Sequence, residues 1–170
     1  LYEASTDADT LLNVTSHGYF NLNGEGSSDI LSHELFIDAD QITELDDSQA
    51  PTGRFLPVEG TPFDFRSMHT IGKMMDSDYE QYHKFGTYDH NFVINGTGFR
   101  EAAVLQSKES GIRMTCFTDQ PAAVCGKPAD RGHWQERYAV CPPYERVSRD
   151  TAFSGRNQPR QFPEHRADTG

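Results

Sequence analysis

Residues 102–117 read AAVLQSKESGIRMTCF. Two apolar runs, each too short for an ordinary helix, flank the polar triplet Lys108-Glu109-Ser110, and Gly111 follows at once. Short β-branched and apolar runs around a compact polar turn predict a β-hairpin. The same pattern recurs upstream. YDHNFVING (88–96) reads as a strand running into an Asn-Gly turn, and HELFIDA (33–39) and QITEL (41–45) read as strands. RFLPVEG (54–60) is another, separated from QITEL by the loop DDSQAPTG, and TLLNVT (10–15) is a further run. Strands recurring at roughly ten-residue spacing predict an all-β sandwich or barrel. Residues 72–85 are polar and predict a loop or one short helix. No long amphipathic helix and no internal repeat is visible.

With 170 residues the chain is long enough for one domain with a sizeable core. Its formal charge of −11 repels phosphate backbones and anionic membranes, which argues against nucleic acid and membrane surfaces as partners. No apolar run approaches the roughly 18 residues of a membrane span. Cys116, Cys125 and Cys141 are odd in number and irregular in spacing, so no disulfide framework is indicated. A reducing, cytoplasmic compartment is the expectation. Cys125, His133 and Cys141 match no zinc pattern, and no metal or cofactor is expected. Asn13-Val14-Thr15 and Asn95-Gly96-Thr97 fit the glycosylation triplet, which has no meaning in that compartment.

Two stretches hold candidate chemistry. In NVTSHGYFNLNGEG (13–26), His17 ends an apolar strand. It reads either as a half-buried histidine hydrogen-bonded at a strand end or as a general acid, since imidazole titrates nearest neutrality. Tyr19 and Phe20 read either as a wall on which a sugar stacks or as core. In Y-D-H-N-F-V, Asp89 reads as a turn or cap residue, or as an acceptor for substrate hydroxyls. Strand alternation places Asp89 and Asn91 on one face and His90 on the other.

The combination NVTSHGYFNLNG, DILSHELFIDAD, PTGRFLPVEGTPFDFR, YDHNFVING and MTCFTDQPA resembles the aldose 1-epimerase (galactose mutarotase) family, in the family's block order, over residues 1–121. The resemblance implies a large antiparallel β-sandwich, here incomplete, because family chains are longer and the first part is expected to be missing. It implies an isomerase that interconverts α and β anomers of aldoses such as galactose and glucose without a cofactor. His17 corresponds to the family's general acid. By the same resemblance, Gly18 and Tyr19 are expected to line the sugar site and Asp89 to bind sugar hydroxyls. The family's general base is a glutamate in a block resembling L-E-T-Q-x-F-P-D, which this sequence lacks. The rival reading is a non-catalytic carbohydrate-binding sandwich or an inactive product.

Composition changes near residue 122. Beyond it the chain is arginine-rich, has few apolar pairs and predicts an irregular tail over 122–170. RDTAFSGRNQPRQFPEHRADTG (149–170), given permitted codons and read one base later, becomes E-T-Q-H-F-P-D-A-I-S-P-G-N-F-P-S-T-E-L-T-P-G. The same shift turns GKPADR (126–131) into G-N-Q-L-T-G. These matches predict that the tail is a frame-shifted family C-terminus. The shift would lie between about Pro121 and Cys125, and the glutamate codon would straddle Arg149 and Asp150.

Overall fold

The computed structural model describes residues 5–10, 18–24, 26–27, 29–125 and 139–140. The chain forms two compact units. One comprises Leu1–Asn13 and Ser148–Gly170. Its described part, residues 5–10, is a polar turn in which Thr6 Oγ1 donates to the Ala8 carbonyl at 2.8 Å. The other unit, Val14–Val147, carries the sheets.

This unit is all-β, with strands β1 (Tyr19–Phe20), β2 (Glu34–Ile37), β3 (Ala39–Leu45), β4 (Pro51–Pro57) and β5 (His69–Thr70). After a 3-10 turn at Ile71–Met74 and the helix α1 (Glu80–Phe85) come β6 (His90–Ile94) and β7 (Arg100–Gln106). The described strands end with β8 (Arg113–Thr118), β9 (Ala122–Cys125) and β10 (Ala139–Val140). One antiparallel sheet has the order β5-β2-β7-β8 and a second the order β4-β3-β6-β9. β1 pairs with β10 in a two-stranded ribbon.

Period-2 patterning decides which side chains face inward. In the first sheet, Leu35 lies opposite Leu105 and then Met114, and Ile37 lies opposite Ala103 and then Cys116. In the second, Leu56, Ile42, Phe92 and Ala123 form one row across four strands. The buried members of both sets belong to a single hydrophobic cluster that includes Phe63 and Phe65, with Leu56, Met114 and Cys116 packed against it, so the inner faces of the two sheets share one core. Each fully buried Leu, Ile or Phe contributes roughly 1.5–3 kcal/mol. Between β2 and β3 the chain passes from the first sheet to the second through the single residue Asp38. Its N–H donates to the Ala102 carbonyl and its carbonyl accepts the Asn95 N–H, both at 2.9 Å. Its carboxylate also takes the Asn95 side-chain amide at 2.9 Å, so the second glycosylation-like asparagine is engaged in this corner.

The hairpin expected over 102–117 is the β7–β8 pair. The polar 72–85 stretch contains the one-turn-and-a-half helix α1, closed by Gly86 in the left-handed region at φ 63, whose N–H returns to the Tyr82 carbonyl. β-Structure also passes the composition change: Ala122–Cys125 is a strand, because its apolar residues complete the sheet beside β6. TLLNVT beyond Thr10, His133, Cys141 and, apart from Ala139–Val140, the tail after Cys125 lie outside the described residues.

Candidate active site

The signature segment enters the described structure at Gly18, and His17 lies outside it. Gly18 and Tyr19 are contiguous with Phe20 at the start of the ribbon, where Tyr19 lies opposite Val140. Neither aromatic ring is core: Tyr19 is 53% exposed and Phe20 38%. A Cβ at Gly18 would stand 3.1 Å from the Phe20 ring, so glycine here admits the ring over the backbone. The segment then turns. Asn21 accepts the Gly24 N–H at 3.1 Å through its carbonyl and the Asn23 N–H at 3.0 Å through its side chain. Asn23 donates to Glu109 at 2.8 Å and accepts from the Ser107 hydroxyl, tying the turn to the β7–β8 hairpin.

Asp89 lies at the entry to β6, in the second sheet. Its N–H donates to Thr87 Oγ1 at 2.8 Å, and it forms an isolated bridge to Cys125 on β9. Its side chain is exposed. The next residue, His90, is 1% exposed and packs edge-on against Phe63 at 4.5 Å. Its Nε2 lies 3.1 Å from Gln81 Oε1. The Gln81 amide is oriented by Leu45, whose N–H donates to Oε1 at 2.9 Å and whose carbonyl accepts from Nε2 at 3.2 Å. With Oε1 fixed as an acceptor, His90 must carry its proton on Nε2. Burial pushes its pKa down to about 4, so the imidazole stays neutral near pH 7 and is a structural donor. Asn91 returns to the Asp89 face and donates to Thr43 Oγ1 at 2.9 Å on the adjoining β3.

A second electrostatic cluster lies nearby in sequence. Arg66 donates from Nε and Nη2 to the two Asp64 oxygens, each at 2.8 Å, and reaches Asp40 at 3.3 Å. The bidentate Arg66 contact holds the Asp64 carboxyl below its ordinary pKa, and the guanidinium is held above its own. Among the described residues no His, Cys, Asp and Glu group is arranged to hold a metal ion, and no helix is long and apolar enough to cross a membrane.

The aldose 1-epimerase family model matches residues 1–157. The chain belongs to the aldose 1-epimerase family. As a member, it is 40% identical over 121 residues to galactose mutarotase of Rattus norvegicus, covering 71% of this chain and 34% of that protein. It is 37% identical over 123 residues to aldose 1-epimerase of Escherichia coli, covering 71% and 35%. The chain thus spans about a third of the length of these curated relatives. Among solved structures, the galactose 1-epimerase of Lactobacillus acidophilus superposes with a TM-score of 0.63 at 25% identity, over 82% of this chain and 42% of that one. A GalM/aldose epimerase homologue from C. elegans gives 0.61 at 27% identity, over 79% and 42%. This family member therefore carries its candidates in two elements: Gly18 and Tyr19 side by side at the ribbon, and Asp89 at the mouth of β6.

Three residues whose side chains make hydrogen bonds remote in sequence were not singled out from the sequence: His33 to Leu22, Gln81 to Leu45 and Arg100 to the Gln120 carbonyl. His33 shares the His33-Leu35-Ile37 period of β2, a signal that it is buried. Gln81 and Arg100 act on partners remote in sequence, and no local pattern marks them.

Proposed function

We propose that this chain carries part of an aldose 1-epimerase sugar site, for aldohexoses such as galactose and glucose. The observation that carries the reading is the division of labour in Asp89-His90-Asn91. His90 is locked neutral in the core, while the adjacent carboxylate is presented, exposed, at the strand entry. A carboxylate can hold two vicinal hydroxyls through charge-assisted hydrogen bonds. Tyr19 offers an exposed ring of the kind that packs against a sugar face. His17 is assigned as the general acid that protonates the ring oxygen while a base removes the anomeric proton. The ring opens to the aldehyde, the C1–C2 bond rotates, and closure with the roles reversed gives the other anomer. No cofactor enters these proton transfers.

The base is a glutamate of a family block that this sequence does not contain. We propose that residues after about Pro121–Cys125 are the frame-shifted reading of that C-terminus. The continuous recovery of E-T-Q-H-F-P-D from residues 149–155 supports this. Independent nucleotide sequence across codons 121–126 tests it; an uninterrupted frame there overturns it.

The sugar-site reading is tested by titrating D-galactose into the chain and following amide chemical shifts around Tyr19 and Asp89. Asp89→Asn removes the charge, worth ~1.5–3 kcal/mol for such bonds, so affinity should fall by about 10- to 100-fold. Equal affinity in the folded variant would make Asp89 a turn residue and nothing more.

A further inference from the structure

One buried histidine outside the assigned chemistry faces the signature segment. His33 is fully buried at the start of β2. Its backbone is held on both sides: its N–H donates to the Ile30 carbonyl and its carbonyl accepts the Ile71 N–H, both at 2.9 Å. The ring therefore sits at a rigid place in the first sheet. Its Nε2 accepts the backbone N–H of Leu22 at 3.1 Å. An imidazole nitrogen accepts only when it carries no proton, so the neutral ring must be protonated at Nδ1. That Nδ1 is buried without a hydrogen-bond partner among the described residues, where the Leu22 contact is the ring's one hydrogen bond. A buried donor left without a partner costs about 1–3 kcal/mol. An apolar side chain of similar size would avoid that cost but could not receive Leu22.

We propose that His33 is a positioning residue for the sugar site: as an unprotonated acceptor it fixes Leu22, and with it the Gly18–Leu22 segment that presents Tyr19 and directly follows His17. This rests on the sugar-site reading of that segment. The contact is an N–H bond at the one buried residue of the Tyr19–Asn23 stretch, Leu22, which is 9% exposed and joins the core cluster. Asn23, the next residue, is fastened separately through Glu109 and Ser107. His33 therefore governs the upstream side of the turn and Asn23 the downstream side. Among the described residues, Glu109 from the β7–β8 turn and Asp29 from the preceding loop are the charged groups acting on the ring. Burial lowers the imidazole's affinity for a proton, and the two carboxylates work in the opposite direction. Protonation at Nε2 turns the acceptor into a donor pointed at another donor, so the contact fails on acidification.

The test combines amide hydrogen exchange with galactose titration on the full chain, in wild type, His33→Phe and His33→Gln. His33→Phe keeps bulk and removes the acceptor; protection at Leu22 should fall about 10-fold, the measure of one lost hydrogen bond, while protection at Ile42 and Phe92 stays. His33→Gln offers a carbonyl acceptor and should restore much of it. Lowering pH through the ordinary imidazole range and below should release Leu22 in wild type and leave His33→Gln unchanged. D-galactose affinity should follow Leu22 protection across the three proteins. Unchanged Leu22 protection in His33→Phe, a glutamine variant that behaves like phenylalanine, or the same pH response in wild type and His33→Gln would each overturn the assignment. So would undiminished galactose affinity with Leu22 released. If His33→Phe does not fold, wild type against His33→Gln over pH decides the same question. Wild type that binds no galactose defeats the sugar-site reading, and the exchange results still judge the Leu22 contact.

Discussion

Neighbouring residues on one strand can be given opposite tasks by burial alone. His90 and Asp89 are adjacent, yet one is sealed against Phe63 and Gln81 while the other faces outward. The seal has a thermodynamic signature. His90 has a folded pKa of about 4 against an ordinary value near 6.5, so the unfolded chain binds its proton first. The stability from the neutral ring is complete above the unfolded value and is lost as pH falls from about 6.5 to about 4. The loss is on the order of 3 kcal/mol. His33 is lowered in the same direction and adds to it. Glu34, Glu44, Asp46 and Asp64 are all held below their ordinary values, so their contribution is lost as pH falls through the ordinary carboxylate range, from about pH 4.5 downward. Urea denaturation at pH 7, 6, 5 and 4.5 should therefore show a decline that begins before any carboxylate titrates. His90→Phe should flatten that decline, whatever it costs at pH 7 by removing one of the two donors to Gln81 Oε1. A parallel decline in the variant would locate the acid sensitivity elsewhere.

Among elements, the turns between β6 and β7 and between β8 and β9 are joined by one side chain. Arg100 donates to the carbonyls of Ile94 at 3.0 Å, Gln120 at 3.1 Å, Gly98 at 2.8 Å and Thr118 at 3.3 Å, and also to that of Asn95. These oxygens terminate strands of both sheets, where the ladders no longer supply donors. Arg100→Ala leaves the partly buried carbonyls short of donors and should cost roughly 2–4 kcal/mol in chemical denaturation. Arg100→Lys should recover only a small part, because one ammonium cannot reproduce the guanidinium's planar fork. A loss below about 0.5 kcal/mol would mean that solvent satisfies those oxygens instead. The strands themselves were legible where apolar residues alternate: HELFIDA, QITEL, HNFVI and the 102–117 hairpin all appear as read. β5 is two residues long, and β9 is an Ala-Ala-Val-Cys run without alternation, so neither carries a local signal. At the site, the opposed faces of Asp89 and His90 follow from strand period. The roles of His33, Gln81 and Arg100 depend on contacts across 11, 36 and up to 20 residues, which no window of sequence displays.

For the whole molecule the decisive matter is what chemistry a chain with this sequence can complete. Mutarotation needs an acid and a base acting on opposite sides of one anomeric centre, each contributing roughly 10²–10⁴-fold. On the proposed reading, His17 stands at the position of the family's acid and Asp89 at that of its hydroxyl-binding carboxylate. It has no block resembling L-E-T-Q-x-F-P-D, and it spans 34% of the rat galactose mutarotase to which it is similar. Asp150, which occupies the proposed shifted codon, is one methylene shorter than glutamate, and a misplacement of even 1 Å can cost about 10² in rate. Polarimetry on α-D-galactose should therefore find this chain more than about 10-fold slower than a complete family member, whatever its affinity for the sugar. Restoring the frame and supplying the segments by which the longer relatives exceed it should bring the rate back. His17→Ala in that restored protein should remove most of it, by about 10² or more. A rate for the present chain within 10-fold of a complete enzyme would show that a base is already in place. A full rate in His17→Ala would return His17 to the role of a hydrogen-bonded strand-end histidine.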